Sequence, residues 1–438
     1  MYTPEDFRSG APPRIIGTEM EYNIHNKRIG PADMIKQVVR QINPESDPAI
    51  YSTTFLKNGA KIYPELAFLT EYATPESLGP RDAVISDLAG QELLRRALLN
   101  ELQEIGEDPS LIQNGLFRRV GFYALSQPEE WQMTNRPKFQ VTGYQESYYT
   151  PRWKRPDAAK MFFGSFLATK PIWAGAGMFY DGQYLISQKG LSAGHVEYNK
   201  AHGTDGRPLF RRDYANIDER FQRVEVRVVD PNRSPKIEWL GKAGTSLALR
   251  YIEHDGDKLH HLSLRDPVKA THEVTTKGNK ALLKTIDGKT IRPQEHQAAV
   301  FEEAANQLIF VNLPDEEQVA LNGLLRITNS QAPMTETGEY PRWDMFTKIF
   351  SDDPTSWDTV KAIYYDLSFD NLLKKANSLP QVLKSTAGIP GGITEQQVEQ
   401  RMYTPPKTRA SARAKHMEPI KWHTGASKDP YNTEPIAA

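Results

Sequence analysis

Arg14-Ile15-Ile16-Gly17-Thr18-Glu19-Met20-Glu21-Tyr22 stands near the start of the chain and alternates apolar with polar residues. This pattern predicts a β-strand. Because successive side chains of a strand point to opposite faces, Glu19 and Glu21 share one face. Two carboxylates that close repel each other unless a cation lies between them. The stretch therefore predicts a strand with one face suited to binding a cation.

Further acidic segments follow this strand. Glu65 and Glu71 lie on a strand-and-turn segment, and Glu146 lies between two tyrosines in Tyr144-Gln145-Glu146-Ser147-Tyr148. Each residue alone is typical of a solvated acidic side chain. Several carboxylates on separate strands instead favour Mg²⁺, which prefers oxygen ligands and bridges carboxylates to phosphate oxygens.

The strand Phe221 to Val229 alternates regularly, with Val224 and two further valines on one face and Arg223, Glu225 and Arg227 on the other. Two interpretations stay open for the charged face. One is a ladder of ion pairs between strands. The other places an arginine on a phosphate group and Glu225 on a metal ion.

The remaining pattern indicates an α+β fold, a curved antiparallel sheet packed by helices, with two domains at 1–352 and 353–438. Apolar positions repeat at helical spacing over 31–42, 81–105 and 236–253, and 296–326 is largely helical. Asn58-Gly59 marks a β-hairpin turn. Strands and helices alternate without a regular period, which disfavours a doubly wound parallel sheet.

Composition limits the functional classes. The 438 residues include 54 basic and 55 acidic side chains, so the net charge is close to zero. The charge balance therefore gives no indication of nucleic acid or a membrane surface as a partner. There is no cysteine, which excludes thiolate metal sites and thiol nucleophiles, and no HExxH pair that would predict zinc. The N-terminus lacks the pattern of a signal peptide, so we expect a cytoplasmic protein. These residues by themselves indicate a magnesium-dependent enzyme that uses a nucleotide.

Several short motifs, taken in order, resemble the family of the Pup ligase and the Pup depupylase/deamidase, which is related to glutamine synthetase. The resemblance spans roughly residues 13–415. Its landmarks are Ile15–Tyr22, Phe55–Tyr63, Glu71–Glu76, Leu185–Lys189, Arg212-Asp213, Val228–Asn232, Trp343–Phe350, Ala362–Leu367 and Pro405–Arg413.

The resemblance implies a role for particular residues and for ATP and Mg²⁺ as cofactors. Glu65 takes the position of the catalytic aspartate. The implied metal ligands are Glu19, Glu21, Glu71 and Glu146, with Glu225 at a position where the family has histidine, and the implied nucleotide contacts are Tyr63, Arg212, Arg223, Arg409 and Arg413.

The implied reaction phosphorylates the C-terminal glutamate side chain of a small Pup-like protein modifier, after which a lysine of a target protein attacks to form an isopeptide bond. The depupylase branch hydrolyses that bond and carries a long insertion before the Asn58-Gly59 hairpin. Only about thirty residues separate Ile24 from Phe55 here, which favours the ligase over the hydrolase, although the opening strand from Arg14 to Glu19 is more similar to the depupylase. A non-catalytic nucleotide-binding homologue is the third alternative. The changes at Glu65 and Glu225 predict a divergent branch.

Overall fold

A computed structural model describes residues 3–9, 12–24, 29–42, 54–65, 69–106, 116–117, 123–124, 139–140, 144–175, 177–180, 183–187, 189–198, 206–213, 219–232, 234–254, 259–309, 311–329 and 379–415. The predicted loop at 330–342 and the predicted domain boundary at 352/353 lie outside these residues. Among the helices described here, none is long and apolar enough to cross a membrane.

The strands are, in chain order, β1 Ile15–Ile24, β2 Thr54–Phe55, β3 Lys61–Glu65, β4 Leu69–Ala73, β5 Ser77–Leu78, β6 Leu116–Phe117, β7 Tyr123–Ala124, β8 Phe139–Gln140, β9 Tyr144–Pro151, β10 Met178–Tyr180, β11 Gln183–Leu185, β12 Ala193–Glu197, β13 Arg207–Asp213, β14 Phe221–Val226, β15 Leu283–Lys284 and β16 Thr290–Ile291. Within the described residues, ten of them form one sheet, whose main path runs β12-β13-β14-β9-β1-β4-β3-β2. The pairing is antiparallel except between β12 and β13. The α+β expectation with a mostly antiparallel sheet is therefore confirmed.

The α-helices described up to residue 329 are α1 Pro4–Arg8, α2 Pro31–Ile42, α3 Gly79–Glu104, α4 Pro156–Thr169, α5 Pro235–His254, α6 Pro267–Lys277, α7 Pro293–Leu308 and α8 Asp315–Asn329. The predicted helices over 31–42, 81–105 and 236–253 correspond closely to α2, α3 and α5. The region 296–326 is two helices, because α7 ends at Leu308 and α8 begins at Asp315 after Pro314.

Helices cover one face of the sheet, which we call the helical face. Its strand side chains, such as Met20, Tyr72 and Tyr148, are fully buried in one apolar cluster together with residues of α3 and α5. We call the opposite face the polar face; its side chains include Glu19, Glu21, Glu71, Gln145 and Glu225. The strand register determines which side chains lie on each face, since directly paired residues of antiparallel strands point to the same side of the sheet.

The C-terminal segment (379–415) packs along α3. Its helices are Leu379–Val382, Glu395–Tyr403 and Arg409–Lys415, and Val398 and Met402 belong to the same apolar cluster as α3. Polar contacts reinforce this packing: Arg401 Nη2 lies 2.5 Å from Asp82 Oδ1, and Arg81 Nε donates to the carbonyl of Gly392 at 2.8 Å. The segment and α3 therefore share a core.

Candidate active site

Glu21 and Glu71 form the centre of the polar face. They are directly paired across β1 and β4, and Tyr63 of β3 is paired with Glu71 from the other side. Glu21 and Glu71 are 5% and 4% exposed, and the Tyr63 hydroxyl donates to Glu71 Oε1. Two buried carboxylates placed opposite each other create a negative potential that a cation would relieve.

Glu19 extends this acidic group along β1. It is paired with Ala73 on one side and with Gln145 of β9 on the other. Burial raises the pKa of Glu19 above its ordinary range, and the charge of Glu225 raises it further, against the opposing effect of nearby arginines. A carboxyl in these surroundings gains from a cation, because the cation stabilises its ionised form.

This arrangement fits Mg²⁺ bound through few protein ligands. In the part of the chain that the structure describes, no three His, Asp or Glu side chains form a closed metal-binding group. Mg²⁺ usually keeps several waters and is held by one or two carboxylates together with substrate phosphates. Glu21 and Glu71, with Glu19 beside them, supply carboxylates of that kind on one surface.

Glu225 lies further along the polar face, and guanidinium groups enclose its carboxylate. Arg211 Nη2 and Arg227 Nη1 each lie 2.5 Å from its oxygens, and Arg223 Nη2 lies at 3.2 Å. The predicted separation of valines and charged residues on this strand is confirmed, since Val224 and Val226 are buried on the helical face. Glu225 and Arg223 therefore lie where the sequence predicts, on the face that carries Glu19.

The structure does not bring Glu146 to the other predicted metal ligands. It is paired with Thr18 and Val226, so its side chain lies on the helical face. There its Oε2 is 3.3 Å from Lys170 Nζ and accepts a hydrogen bond of 2.8 Å from Tyr148. The expectation that places Glu146 beside Glu19 needs this correction, because alternation along β9 puts Gln145 on the polar face instead.

Arg212 also points away from the polar face. It is paired with Val224, its Nε and Nη2 donate to Glu197 at 2.6 and 2.8 Å, and its guanidinium lies 4.8 Å from the Trp153 ring centre. The expectation that Arg212 contacts the nucleotide beside Arg223 is therefore wrong in position, because the preceding residue, Arg211, is the one paired with Glu225 on the polar face.

The predicted nucleotide contacts at the C-terminus lie near the β2–β3 turn. Arg409 Nη2 is 2.9 Å from Glu76 Oε1, and a Cβ added at Gly59 would lie 2.7 Å from the Ala410 Cβ. Glu65 is the last residue of β3 and Arg413 lies in the helix Arg409–Lys415, but both side chains lie outside the described residues.

Gln145 and Lys189, like Arg211, are polar residues of this region that were not predicted as site candidates. Gln145 faces Glu19 and accepts a hydrogen bond from Arg227 Nη1 at 2.5 Å. Lys189 is buried and donates to the carbonyl of Tyr144, and burial lowers the pKa of Lys189 to about 7 with a further contribution from Arg207. Strand alternation separates Gln145 from Glu146, but only the pairing of β9 with β1 shows that Gln145 is the one that faces Glu19. Lys189 reaches the site from a turn, where no strand or helix period applies.

The fold is the one found in solved Pup ligase structures. A crystal structure of the complex between Prokaryotic Ubiquitin-like Protein Pup and its ligase PafA matches with a TM-score of 0.71 at 22% identity, over 94% of this chain and 84% of that chain. A structure of PafA in complex with ADP matches with a TM-score of 0.63 at 21% identity, over 90% of this chain and 85% of that chain.

The chain belongs to the Pup-ligase protein family, whose model matches residues 14–427. The Pup--protein ligase of Bifidobacterium animalis subsp. lactis (strain AD011) is 28% identical over 300 residues, or 66% of this chain and 58% of that protein. The Pup--protein ligase of Acidimicrobium ferrooxidans is 25% identical over 436 residues, or 93% of this chain and 89% of that protein. The match to the Bifidobacterium relative thus spans less than two thirds of its length.

Proposed function

We propose that this protein is an ATP- and Mg²⁺-dependent ligase that joins a small Pup-like protein modifier to lysines of other proteins. The observation that carries the proposal is the pairing of Glu21 with Glu71 on the polar face, which also carries the arginines around Glu225. Carboxylates for a hard cation beside guanidinium groups for an anion are the chemistry that a metal-bound triphosphate requires. Membership of the Pup-ligase family supports the same conclusion.

In this proposal Glu19, Glu21 and Glu71 hold Mg²⁺, and Tyr63 orients Glu71 through its hydroxyl. When bound, Mg²⁺ would neutralise the charge that develops during phosphoryl transfer. Arg223, Arg409 and Arg413 are the proposed nucleotide contacts. Glu146 and Arg212 are not included, because they lie on the helical face.

The proposed reaction has two steps. The side-chain carboxylate of the modifier's C-terminal glutamate attacks the γ-phosphoryl group of ATP, which releases ADP and forms an acyl phosphate. The target lysine amine then attacks the acyl carbon and displaces phosphate, and Glu65 accepts a proton from the incoming ammonium group. A glutamate in place of an aspartate extends the base by one methylene, so the attacking amine must sit correspondingly further from β3.

The proposal is tested by incubating the protein with ATP, Mg²⁺, a lysine-bearing target and a Pup that ends in glutamate. We expect a conjugate and one ADP for each conjugate formed. Glu65→Gln should retain ATP binding, measured by calorimetry, and lose conjugate formation.

Three results would contradict the proposal. Conjugation by Glu65→Gln at the normal rate would reject the role of Glu65. Cleavage of a preformed conjugate without ligation would identify a hydrolase instead. Failure of the wild-type protein to bind ATP with Mg²⁺ would indicate a non-catalytic member of the family.

A further inference from the structure

Three guanidinium groups converge on one buried carboxylate at the edge of the polar face. Arg211 lies directly opposite Glu225 on β13, while Arg223 and Arg227 flank it at two-residue spacing. Glu225 is 0% exposed, whereas the Arg211 and Arg223 side chains are 24% and 32% exposed. The carboxylate is therefore hidden beneath the arginines, and parts of two guanidinium groups reach the surface.

Both carboxylate oxygens of Glu225 interact with guanidinium groups. Oε2 accepts from Arg211 Nε at 2.7 Å and lies 3.2 Å from Arg223 Nη2, while Oε1 accepts from Arg227 Nη1 at 2.5 Å. Burial by itself would raise the pKa of Glu225, but the charges of Arg223, Arg211 and Arg227 outweigh it and hold the pKa below its ordinary range. A metal ion at this carboxylate would have to lie among three guanidinium groups, whose positive charge opposes its binding.

The arginines of this cluster keep donors that Glu225 does not use. Arg211, Arg223 and Arg227 face Glu225 and Asp213, whose Oδ2 lies 3.2 Å from Arg223 Nη2. The charge of Glu19 on β1 also interacts with all three arginines. Each guanidinium has five N–H donors in a fixed plane, so an arginine bonded to Glu225 through one edge can still donate to a second anion through another.

We propose that Arg211, with Arg223 and Arg227, forms a binding subsite for the phosphate groups of the nucleotide, and that Glu225 positions these arginines and does not ligate the metal. The inference rests on the proposed ATP-dependent function and adds Arg211 to the residues that serve it. It also divides the polar face into a cation-binding part around Glu21 and an anion-binding part around Glu225, with Gln145 between them.

The first experiment measures binding of tripolyphosphate by calorimetry in EDTA, without nucleotide or metal. Arg211→Met should weaken this binding about tenfold or more, and Arg211→Lys less. Arg212→Lys is the matched control, because Arg212 is the next residue on the same strand, lies on the helical face and bonds Glu197. Equal affinity in Arg211→Met and wild type, with the variant folded by circular dichroism, would overturn the subsite.

The second experiment titrates Mg²⁺ at saturating ATP and follows the rise in melting temperature. The Mg²⁺ concentration that gives half of the rise in melting temperature should be the same for Glu225→Gln as for the wild type, within about twofold. For Glu21→Gln this concentration should be at least tenfold higher than for the wild type. A tenfold increase for Glu225→Gln would overturn the positioning role and make Glu225 a metal ligand.

These outcomes are distinct from failure of the proposed function. If wild type binds and hydrolyses ATP with Mg²⁺ and Arg211→Met behaves identically, only the subsite is wrong. If wild type shows no binding of ATP or tripolyphosphate, the proposed function and the subsite fail together.

Discussion

Glu21 and Glu71 lie directly opposite each other on neighbouring antiparallel strands, and both carboxylates are buried. Like charges in that arrangement destabilise a sheet. A cation bound between the two carboxylates would reduce this repulsion, which is the basis of the proposed metal site.

Replacing Glu21 by Gln should weaken the response of the protein to metal, because an uncharged amide attracts Mg²⁺ less strongly than a carboxylate does. The increase in melting temperature with Mg²⁺ and ATP should largely disappear. Glu197→Gln, on the helical face, should keep that increase; loss of the increase in both variants would contradict the site.

The Tyr63 hydroxyl should increase the affinity for Mg²⁺ by orienting the Glu71 carboxylate. Tyr63→Phe removes the hydrogen bond to Glu71 Oε1 and leaves the ring in place. Groups that orient a metal ligand typically contribute tenfold or more to metal affinity, so half-saturation should need about tenfold more Mg²⁺. Tyr148→Phe is the control, since its hydroxyl donates to Glu146 on the helical face. A larger effect from the control would argue that Glu146 holds the metal.

Gly59 should resist substitution for two separable reasons. It has φ +78°, and an added Cβ would lie 2.7 Å from Ala410 Cβ and 2.8 Å from the Ala410 carbonyl oxygen. Gly106 has a similar φ of +71° but no atom within 4 Å of an added Cβ. Gly106→Ala should cost about 1 kcal/mol of unfolding free energy from backbone strain, and Gly59→Ala about 1–3 kcal/mol more from overpacking.

A denaturant series on both variants measures this difference, and Ala410→Gly in the Gly59→Ala background should recover part of it. Equal losses of unfolding free energy at the two glycines would mean that the helix Arg409–Lys415 does not pack against the β2–β3 turn in solution.

His296 should make the protein less stable in mild acid. It is fully buried between the Leu262 carbonyl, 2.7 Å from Nε2, and the Thr169 hydroxyl, 2.9 Å from Nδ1. Burial lowers the pKa of His296 from 6.5 to about 4, although the hydrogen bond to Leu262 opposes that change. Between these values the unfolded chain binds the proton and the folded protein does not, so the free energy of unfolding falls as the pH decreases from 6.5 to 4, by roughly 3 kcal/mol.

Urea unfolding at pH 7.5, 6 and 5 measures this dependence. His296→Gln retains a donor for Leu262 and cannot titrate, so its stability should vary less with pH. An identical pH dependence in the variant and the wild type would assign the effect to other groups.

Local patterns predicted much of the fold because they depend on one element at a time. The apolar repeats of α2, α3 and α5 and the alternation in β14 each describe which side of a helix or strand is buried. The same alternation correctly placed Glu19 with Glu21, and Arg223 with Glu225. These relationships follow from backbone geometry within one segment.

The candidate site required knowledge of how strands pair. Alternation in β9 separates Gln145 from Glu146 but does not tell which of them faces Glu19. The pairing of Glu19 with Gln145 decides this, and the same argument selects Arg211 over Arg212 through the pairing with Glu225. A shift of one residue in either register would exchange the two faces.

The sequence by itself determined the elements, the face that each residue takes within its own strand, and the absence of cysteine chemistry. Only the tertiary structure decided which faces of different strands join, that Lys189 reaches Tyr144 from a turn, and that the C-terminal helix reaches Gly59. The physical reason is that backbone periodicity is a local property, whereas strand register and helix packing are fixed by contacts between segments that lie far apart in the chain.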